Sequence, residues 1–244
     1  MRADLNENTR GAVAVTGRML AAVGAGLLGA AGLVALAPVA SAADACSDVE
    51  VVFARGTAEP VGLGRVGDAF VQALQSDLSG KTVGVYAVNY PASYDFLKAT
   101  DGANDASAYV QNIAATCPNT SIVLGGYSQG AAVVDLITSP PGSLFGFADP
   151  MPANVADHVA AVAVFGNPSH RIGQPLTTLS PEYGPKTIDL CNGADPVCST
   201  GDDRSAHSLY VQAGLTDQAA NFVAERIENP TAAPLAQLAS NGVG

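Results

Sequence analysis

The chain has few basic residues. Eleven Lys and Arg oppose 22 Asp and Glu, so the formal net charge over 244 residues is −11. A surface of this sign repels nucleic acid and does not attract anionic lipid head groups. We therefore expect no nucleic-acid partner and a substrate that is neutral or weakly charged.

The sequence also lacks the spacings of a metal centre. Its four cysteines include no C-x-x-C pair, and its three histidines, His158, His170 and His207, are scattered along the chain. A structural zinc site usually draws its ligands from such close pairs. We expect no metal and no cofactor.

After the amino-terminal region, no segment is apolar over enough residues to span a bilayer. That region itself has the pattern of a signal peptide: Arg10 and Arg18, an apolar stretch over 19–36, and the small-x-small sequence Ala40-Ser41-Ala42. We predict cleavage before Ala43, the alternative being an uncleaved membrane anchor. The protein is then secreted or extracellular, with association with the cell envelope as a further alternative.

Removal of residues 1–42 would leave 202 residues with a net charge of −12, enough chain for one well-buried domain. We expect that domain over 43–230 and a flexible Ala/Pro/Ser/Gly-rich tail over 231–244. We also expect a monomer without stable membrane insertion. An exported protein with four cysteines is predicted to form two disulfides, and spacing alone leaves three pairings open.

Apolar runs alternate with helical patterns along the mature chain, which is typical of a doubly wound α/β sheet. Several runs are continuously apolar, as in a parallel sheet covered on both faces. The predicted strands are 49–53, 83–90, 122–124, 159–165 and 187–191. The predicted helices are 66–74, 106–115, 129–137 and about 217–227, the last with Thr216 as its N-cap.

The pentapeptide Gly126-Tyr127-Ser128-Gln129-Gly130 lies between a predicted strand and a predicted helix. This G-x-S-x-G context is that of a nucleophile elbow, in which the serine occupies a strained turn and the glycines permit close packing. Ser128 is therefore a candidate nucleophile, and the Gln129 N–H, at a helix N-terminus, is a candidate oxyanion donor. The alternative is a chance pentapeptide in an ordinary loop.

The partners of Ser128 should follow it in the order acid, then histidine. His207 follows all five predicted strands, in a polar loop, which favours it over His158 and His170. Asp195 lies in Cys191-Asn-Gly-Ala-Asp-Pro-Val-Cys198, where a disulfide would hold its carboxylate rigidly. Asp202 and Asp203 are rival acids in an unconstrained stretch, and Asp195 could instead be a simple turn-former.

Two further segments need interpretation. Gly62-Leu63-Gly64-Arg65-Val66-Gly67 matches the G-x-G-x-x-G pattern of dinucleotide-binding proteins. The glycines do not follow the strand directly, and the second strand ends without an acidic residue, so we interpret them as shaping a tight loop. The segment 139–153 is rich in Pro and Gly yet contains four large apolar residues, which an ordinary solvated loop would not need: Leu144, Phe145, Phe147 and Met151.

Taken together, these residues resemble the cutinase family, in particular the cutinase-like proteins of mycobacteria and related actinobacteria. The resemblance rests on Val51-Val-Phe-Ala-Arg-Gly-Thr57, Val85-Tyr-Ala-Val-Asn-Tyr-Pro-Ala92, Gly125-Gly-Tyr-Ser-Gln-Gly-Ala131, Asp195-Pro-Val-Cys198 and His207. It implies a compact α/β-hydrolase with a five-stranded parallel sheet flanked by helices and no true lid. It also implies Ser128 as nucleophile, His207 as base, Asp195 as orienter, Thr57 and Gln129 as the oxyanion hole, and the disulfides Cys46–Cys117 and Cys191–Cys198.

The expected function is that of a secreted serine esterase, which hydrolyses acyl esters of short to medium chain length through an acyl-enzyme. A phospholipase A or a polyester (cutin) hydrolase is the alternative with the same chemistry. A non-catalytic surface or antigenic protein is the alternative of another class. Under the phospholipase or polyester hypothesis, Leu144, Phe145, Phe147 and Met151 would form an apolar flap that contacts the acyl chain.

Overall fold

The computed structural model describes residues 46–140 and 151–230. The predicted signal peptide, the predicted tail and part of the apolar segment 139–153 lie outside these residues. Among the residues described, no helix has the length and apolar character needed to cross a membrane.

Five parallel strands form one sheet in the order β2-β1-β3-β4-β5. The strands are β1 (Val49–Ala54), β2 (Val83–Ala87), β3 (Ser121–Tyr127), β4 (Val159–Phe165) and β5 (Thr187–Leu190). The predicted five-stranded parallel sheet is confirmed. Its carboxyl edge carries the segments that follow each strand, and Ser128 emerges there directly after β3.

Six α-helices lie in the described part of the chain. They are α1 (Gly64–Asp77), α2 (Ala99–Thr116), α3 (Gln129–Thr138), α4 (Pro168–Arg171), α5 (Leu176–Leu179) and α6 (Leu215–Glu228). Helices α1 and α6 cover one face of the sheet, and α2 and α3 cover the other. The short helices α4 and α5 were not predicted, because four-residue helices give no periodic apolar pattern.

The two faces explain why β4 is apolar throughout. Val162 and Val164 belong to the core on the α2–α3 side, whereas Ala163 and Phe165 belong to the core on the α1–α6 side. Successive side chains of a strand point to opposite faces, and both faces are buried here. On the α1–α6 side, the rings of Phe53, Phe70 and Phe165 pack with centroids 5.9 to 6.4 Å apart.

Four predicted boundaries were wrong by three residues or more: the ends of β2, β3 and α1 and the start of α2. Strand β2 ends at Ala87 rather than at residue 90, because the carbonyl groups of Val88 and Tyr90 bind the Arg55 guanidinium instead of a neighbouring strand. Helix α2 begins at Ala99 rather than at residue 106. Its first two turns were missed because they pack through small residues, which contribute little to an apolar pattern.

The N-cap of α6 is Gly214, with φ +70°, and not Thr216, which is buried inside the first turn. A positive φ at this position favours glycine, which has no Cβ to clash with the backbone. The prediction from residue type favoured a hydroxyl side chain as the cap and thereby missed the backbone conformation.

Candidate active site

Ser128 occupies a strained turn between β3 and α3. Its φ of +56° and ψ of −115° are rare for a residue with a side chain. A Cβ on Gly126 would overlap the carbonyl oxygen of Gly130, and a Cβ on Gly130 would overlap that of Ala54. The two glycines are therefore required sterically, and the sharp turn places the Ser128 side chain above the carboxyl edge of the sheet.

His207 lies on a one-turn 3-10 helix, Ala206–Ser208, with its Nε2 3.0 Å from Ser128 Oγ. The Tyr127 hydroxyl donates to the His207 carbonyl oxygen, and the two rings stack with centroids 5.0 Å apart. Burial raises the pKa of Tyr127 to about 12, so its hydroxyl remains a donor at neutral pH. These contacts fix both the main chain and the ring plane of His207.

Asp195 is fully buried, with its Oδ2 2.7 Å from His207 Nδ1. Its Oδ1 accepts a hydrogen bond of 2.8 Å from the Val197 N–H. The Cys191–Cys198 disulfide closes the loop that carries it. A buried carboxylate held in this way can orient an imidazole and stabilise its protonated form.

The rival residues lie elsewhere or have other partners. His158 is at the start of β4, at the opposite end of the sheet, and His170 Nδ1 is 2.9 Å from the Cys198 carbonyl oxygen. Asp202 is exposed. Asp203 Oδ1 accepts from the Ser205 and Ala206 N–H groups, so this carboxylate caps the turn that carries His207.

The two predicted oxyanion residues lie side by side near Ser128. Thr57 Oγ1 donates to Gln129 Oε1 across 3.4 Å, and Gln129 Nε2 donates to the Ser93 carbonyl oxygen at 3.0 Å. Gln129 is the first residue of α3, where backbone N–H groups have no partner within the helix. Such an N–H beside a nucleophile can bind a developing oxyanion.

A buried arginine, which sequence reasoning missed, braces the loop that carries Thr57. The Arg55 guanidinium donates to the carbonyl oxygens of Glu59 at 3.0 Å and Tyr90 at 2.7 Å, and the Tyr90 hydroxyl donates back to the Arg55 carbonyl. These bonds tie the loop after β1 to the loop after β2. The only sequence signal was a charged residue placed directly after a buried strand.

The G-x-G-x-x-G segment is filled by a carboxylate of this chain. Glu59 accepts hydrogen bonds from the Gly56 N–H at 2.7 Å and from the Arg65 N–H at 3.0 Å, in the first turn of α1. A Cβ on Gly64 would overlap this carboxylate. The position that a dinucleotide phosphate would need is therefore taken, which supports the interpretation as a shaped loop.

Of the predicted apolar flap, only Met151 lies among the described residues; Leu144, Phe145 and Phe147 do not. Met151 is buried in the core on the α2–α3 side, and its N–H donates to the Ile137 carbonyl oxygen at 3.1 Å. The contact of this segment with an acyl chain stays a prediction.

Six large apolar side chains lie exposed on the segments that follow the carboxyl ends of the strands. Phe96 and Leu97 are 63% and 78% exposed, on a 3-10 turn that closely follows Ser93, the main-chain partner of Gln129. Leu209 is two residues from His207. We call the exposed side chains of this edge the apolar rim: Val61, Tyr94, Phe96, Leu97, Ile172 and Leu209.

Two acids, Asp135, buried within α3, and Asp189, half-buried on β5, share one amide partner. Asn167 Nδ2 donates to Asp135 Oδ1 at 3.0 Å and to Asp189 Oδ2 at 3.3 Å. Burial raises the pKa of Asp135 to about 8 and that of Asp189 to about 6. Across residues 46–140 and 151–230, no group of three or more His, Cys, Asp and Glu residues is placed to hold a metal ion.

The disulfides in the structure are Cys46–Cys117 and Cys191–Cys198. This is the pairing that the cutinase resemblance implied, where spacing alone had left three pairings open.

Comparisons with known proteins agree on one family. A family model described as Cutinase matches residues 45–227. Phospholipase Culp4 of Mycobacterium tuberculosis is 57% identical over 193 residues, which cover 79% of this chain and 84% of the relative. Carboxylesterase Culp1 of the same species is 53% identical over 197 residues, covering 78% and 86%. The solved structure of Trichoderma reesei cutinase in complex with a C11Y4 phosphonate inhibitor has a TM-score of 0.61 and 34% identity, covering 75% of this chain and 77% of that one.

Proposed function

The chain belongs to the cutinase family and is a carboxylic ester hydrolase, and on that premise we propose that it works as a serine esterase through Ser128, His207 and Asp195. The observation that carries the proposal is the continuous hydrogen-bonded chain from Ser128 Oγ to His207 Nε2 (3.0 Å) and from His207 Nδ1 to Asp195 Oδ2 (2.7 Å). We further propose that the substrates are esters with acyl chains of short to medium length.

In the proposed reaction, Ser128 Oγ attacks the ester carbonyl carbon while His207 Nε2 takes the hydroxyl proton. The resulting oxyanion binds beside Thr57 and the Gln129 N–H. As the tetrahedral intermediate collapses, His207 gives its proton to the leaving alcohol, and an acyl-Ser128 ester remains. Water, deprotonated by His207, then attacks this ester, and His207 returns the proton to Ser128 Oγ as the acid is released.

The test of this mechanism is Ser128→Ala. We expect kcat for p-nitrophenyl butyrate to fall by about 10⁴-fold or more, because the nucleophile is removed while the fold is kept. Labelling by a fluorophosphonate probe should disappear in parallel. Circular dichroism and thermal unfolding show whether the variant is folded, and Ser76→Ala, at an exposed serine of α1, is the matched control. A folded Ser128→Ala protein with normal turnover would exclude the mechanism.

Lipid esters, including phospholipids, are a second candidate substrate class, and the apolar rim favours them. Leu97 and Tyr94 are each 78% exposed, next to the segment that binds Gln129. Exposed large apolar side chains grouped next to a candidate site are typical of an interaction surface or a binding groove. The relative named Phospholipase Culp4 supports the same substrate class.

Leu97→Ser tests the contribution of the rim. We expect hydrolysis of phospholipid vesicles to fall several-fold, because less apolar area contacts the lipid, and hydrolysis of p-nitrophenyl acetate to stay unchanged. Val85→Ser, an exposed position in the middle of β2, should leave both activities unchanged. Equal losses on both substrates for Leu97→Ser would contradict a role in lipid contact.

We also propose that residues 1–42 are removed as a signal peptide, leaving the domain over 43–230 with the tail over 231–244, and that the protein is exported. The two disulfides of the described chain support this, since such bonds persist in oxidising compartments. Amino-terminal sequencing of the protein recovered from culture medium and from the cell envelope tests the cleavage site and the location together.

A further inference from the structure

Tyr210 shares one carboxylate oxygen of Asp195 with His207. Its hydroxyl donates to Asp195 Oδ2 at 2.7 Å, and the same oxygen lies 2.7 Å from His207 Nδ1. With the Val197 N–H on Oδ1, three donors surround a carboxylate that has no contact with solvent. The charge of Asp195 is therefore divided between the imidazole and a phenol.

The phenol is held firmly in this position. Tyr210 is fully buried, and its hydroxyl accepts a hydrogen bond of 3.2 Å from the Asn192 N–H, in the loop closed by the disulfide. Its ring stands edge-on to Phe165, at 86° and 6.1 Å between centroids, and edge-on to His207, at 89° and 6.3 Å. Burial, together with the bond to Asp195, raises the pKa of Tyr210, so the hydroxyl stays protonated and remains a donor.

We propose that Tyr210 is a positioning residue of the Ser128–His207–Asp195 site, which fixes Asp195 Oδ2 and draws negative charge from it. A buried carboxylate with fewer donors would hold the protonated imidazole more strongly. Tyr210 therefore eases the transfer of the proton from His207 Nε2 to the leaving alcohol, while the protons of Tyr210 and of His207 Nδ1 stay in place. This inference rests on the proposed triad.

The main test is Tyr210→Phe, assayed as kcat/KM for p-nitrophenyl butyrate against pH. Removal of the donor leaves more charge on Asp195, which favours protonated His207, so the acidic limb of the profile should move to higher pH by about half a unit. Tyr183→Phe is the matched control, because the Tyr183 hydroxyl is also buried but has no hydrogen-bond partner in the described structure. Its profile should match that of the parent protein.

An unmoved acidic limb, or one that moves to lower pH, in a folded Tyr210→Phe protein would overturn the inference, even if stability or kcat falls. Ser128→Ala, assayed alongside, separates this outcome from failure of the triad itself: an active Ser128→Ala protein rejects the triad, whereas an inactive one leaves the result for Tyr210 decisive.

If Tyr210→Phe does not fold, the parent protein with its seven tyrosines replaced by 3-fluorotyrosine decides the question. The fluorinated phenol is the stronger hydrogen-bond donor, so it should move the acidic limb to lower pH. Tyr127, the other tyrosine that packs on His207, donates to a main-chain oxygen and not to a side chain of the site. No downward shift in the labelled protein would overturn the inference.

Discussion

Asp135 is a carboxyl group buried in the elbow helix α3, seven residues after Ser128. Burial raises its pKa to about 8 in the folded protein, whereas an unfolded Asp titrates near pH 4. Between these values the native state keeps a proton that the unfolded state releases, so stability falls as pH rises from about 4 to about 8. The folded protein is therefore more stable at mildly acidic pH than at pH 8.

Asp135→Asn should remove this pH dependence while keeping an oxygen for Asn167 Nδ2. From pH 5 to pH 8 we expect the unfolding free energy of the parent to fall, relative to that of the variant, by more than about 1 kcal/mol. One bound proton changes this free energy by up to about 1.4 kcal/mol for each pH unit. Urea unfolding at several pH values measures it. The exposed Asp202→Asn should show no such gain, and an equal slope for Asp135→Asn and parent would contradict a buried neutral acid.

Candidate residues of the site could be named where residue type and position in the chain carry the chemistry. Ser128 follows from its flanking glycines, His207 from its place after all five predicted strands, and Asp195 from its place between two cysteines. Arg55 and Tyr210 were not predicted, because an arginine after a strand and a tyrosine near a histidine are unremarkable until their partners are known. Those partners lie 35 residues from Arg55 for the Tyr90 carbonyl and 15 residues from Tyr210 for the Asp195 carboxylate.

Among the elements, strand β4 matched its predicted bounds and helix α2 did not. A parallel strand buried on both faces is continuously apolar, and the end of such a run is clear in the sequence. Here β4 ends at Phe165, directly before Gly166. The first two turns of α2 contain Gly102, where a Cβ would lie 3.0 Å from the Tyr90 ring and 3.0 Å from Val133. Close helix packing selects small residues there, and small residues weaken the pattern that predicts a helix.

The two glycine-rich turns also differ in how well the sequence predicts them. The G-x-S-x-G turn was predictable because the motif lies directly between a predicted strand and a predicted helix. The G-x-G-x-x-G turn was ambiguous from sequence, since the motif is common to phosphate-binding and purely structural loops. The carboxylate of Glu59, bound to the Gly56 and Arg65 N–H groups, resolves the ambiguity.

At the scale of the whole molecule, removal of each disulfide should affect stability and activity to different extents. Cys46–Cys117 closes a loop of 71 residues and Cys191–Cys198 one of 7 residues. Loop-closure entropy then predicts losses of about 4 kcal/mol for the Cys46→Ser/Cys117→Ser protein and about 2 kcal/mol for the Cys191→Ser/Cys198→Ser protein. Activity should follow the opposite order, because only the shorter loop carries Asp195.

Urea unfolding and kcat/KM for p-nitrophenyl butyrate, measured at a temperature where both double variants are folded, test this pair of effects. We expect at least about a tenfold loss of kcat/KM for Cys191→Ser/Cys198→Ser, because a loosened acid no longer holds the imidazole, and little loss for Cys46→Ser/Cys117→Ser. Equal activity losses in the two folded variants would contradict a role of the short loop in holding Asp195.

The sequence by itself determined the parallel sheet, the elbow motif and the residue types of the candidate site, because apolar periodicity and the G-x-S-x-G spacing are patterns over a few neighbouring positions. Only the tertiary structure decided the contacts between distant residues: the stack of Tyr127 on His207, 80 residues away, and the hydroxyl of Tyr210 on Asp195, 15 residues away. Such hydrogen bonds depend on how whole layers pack, and no local pattern encodes them.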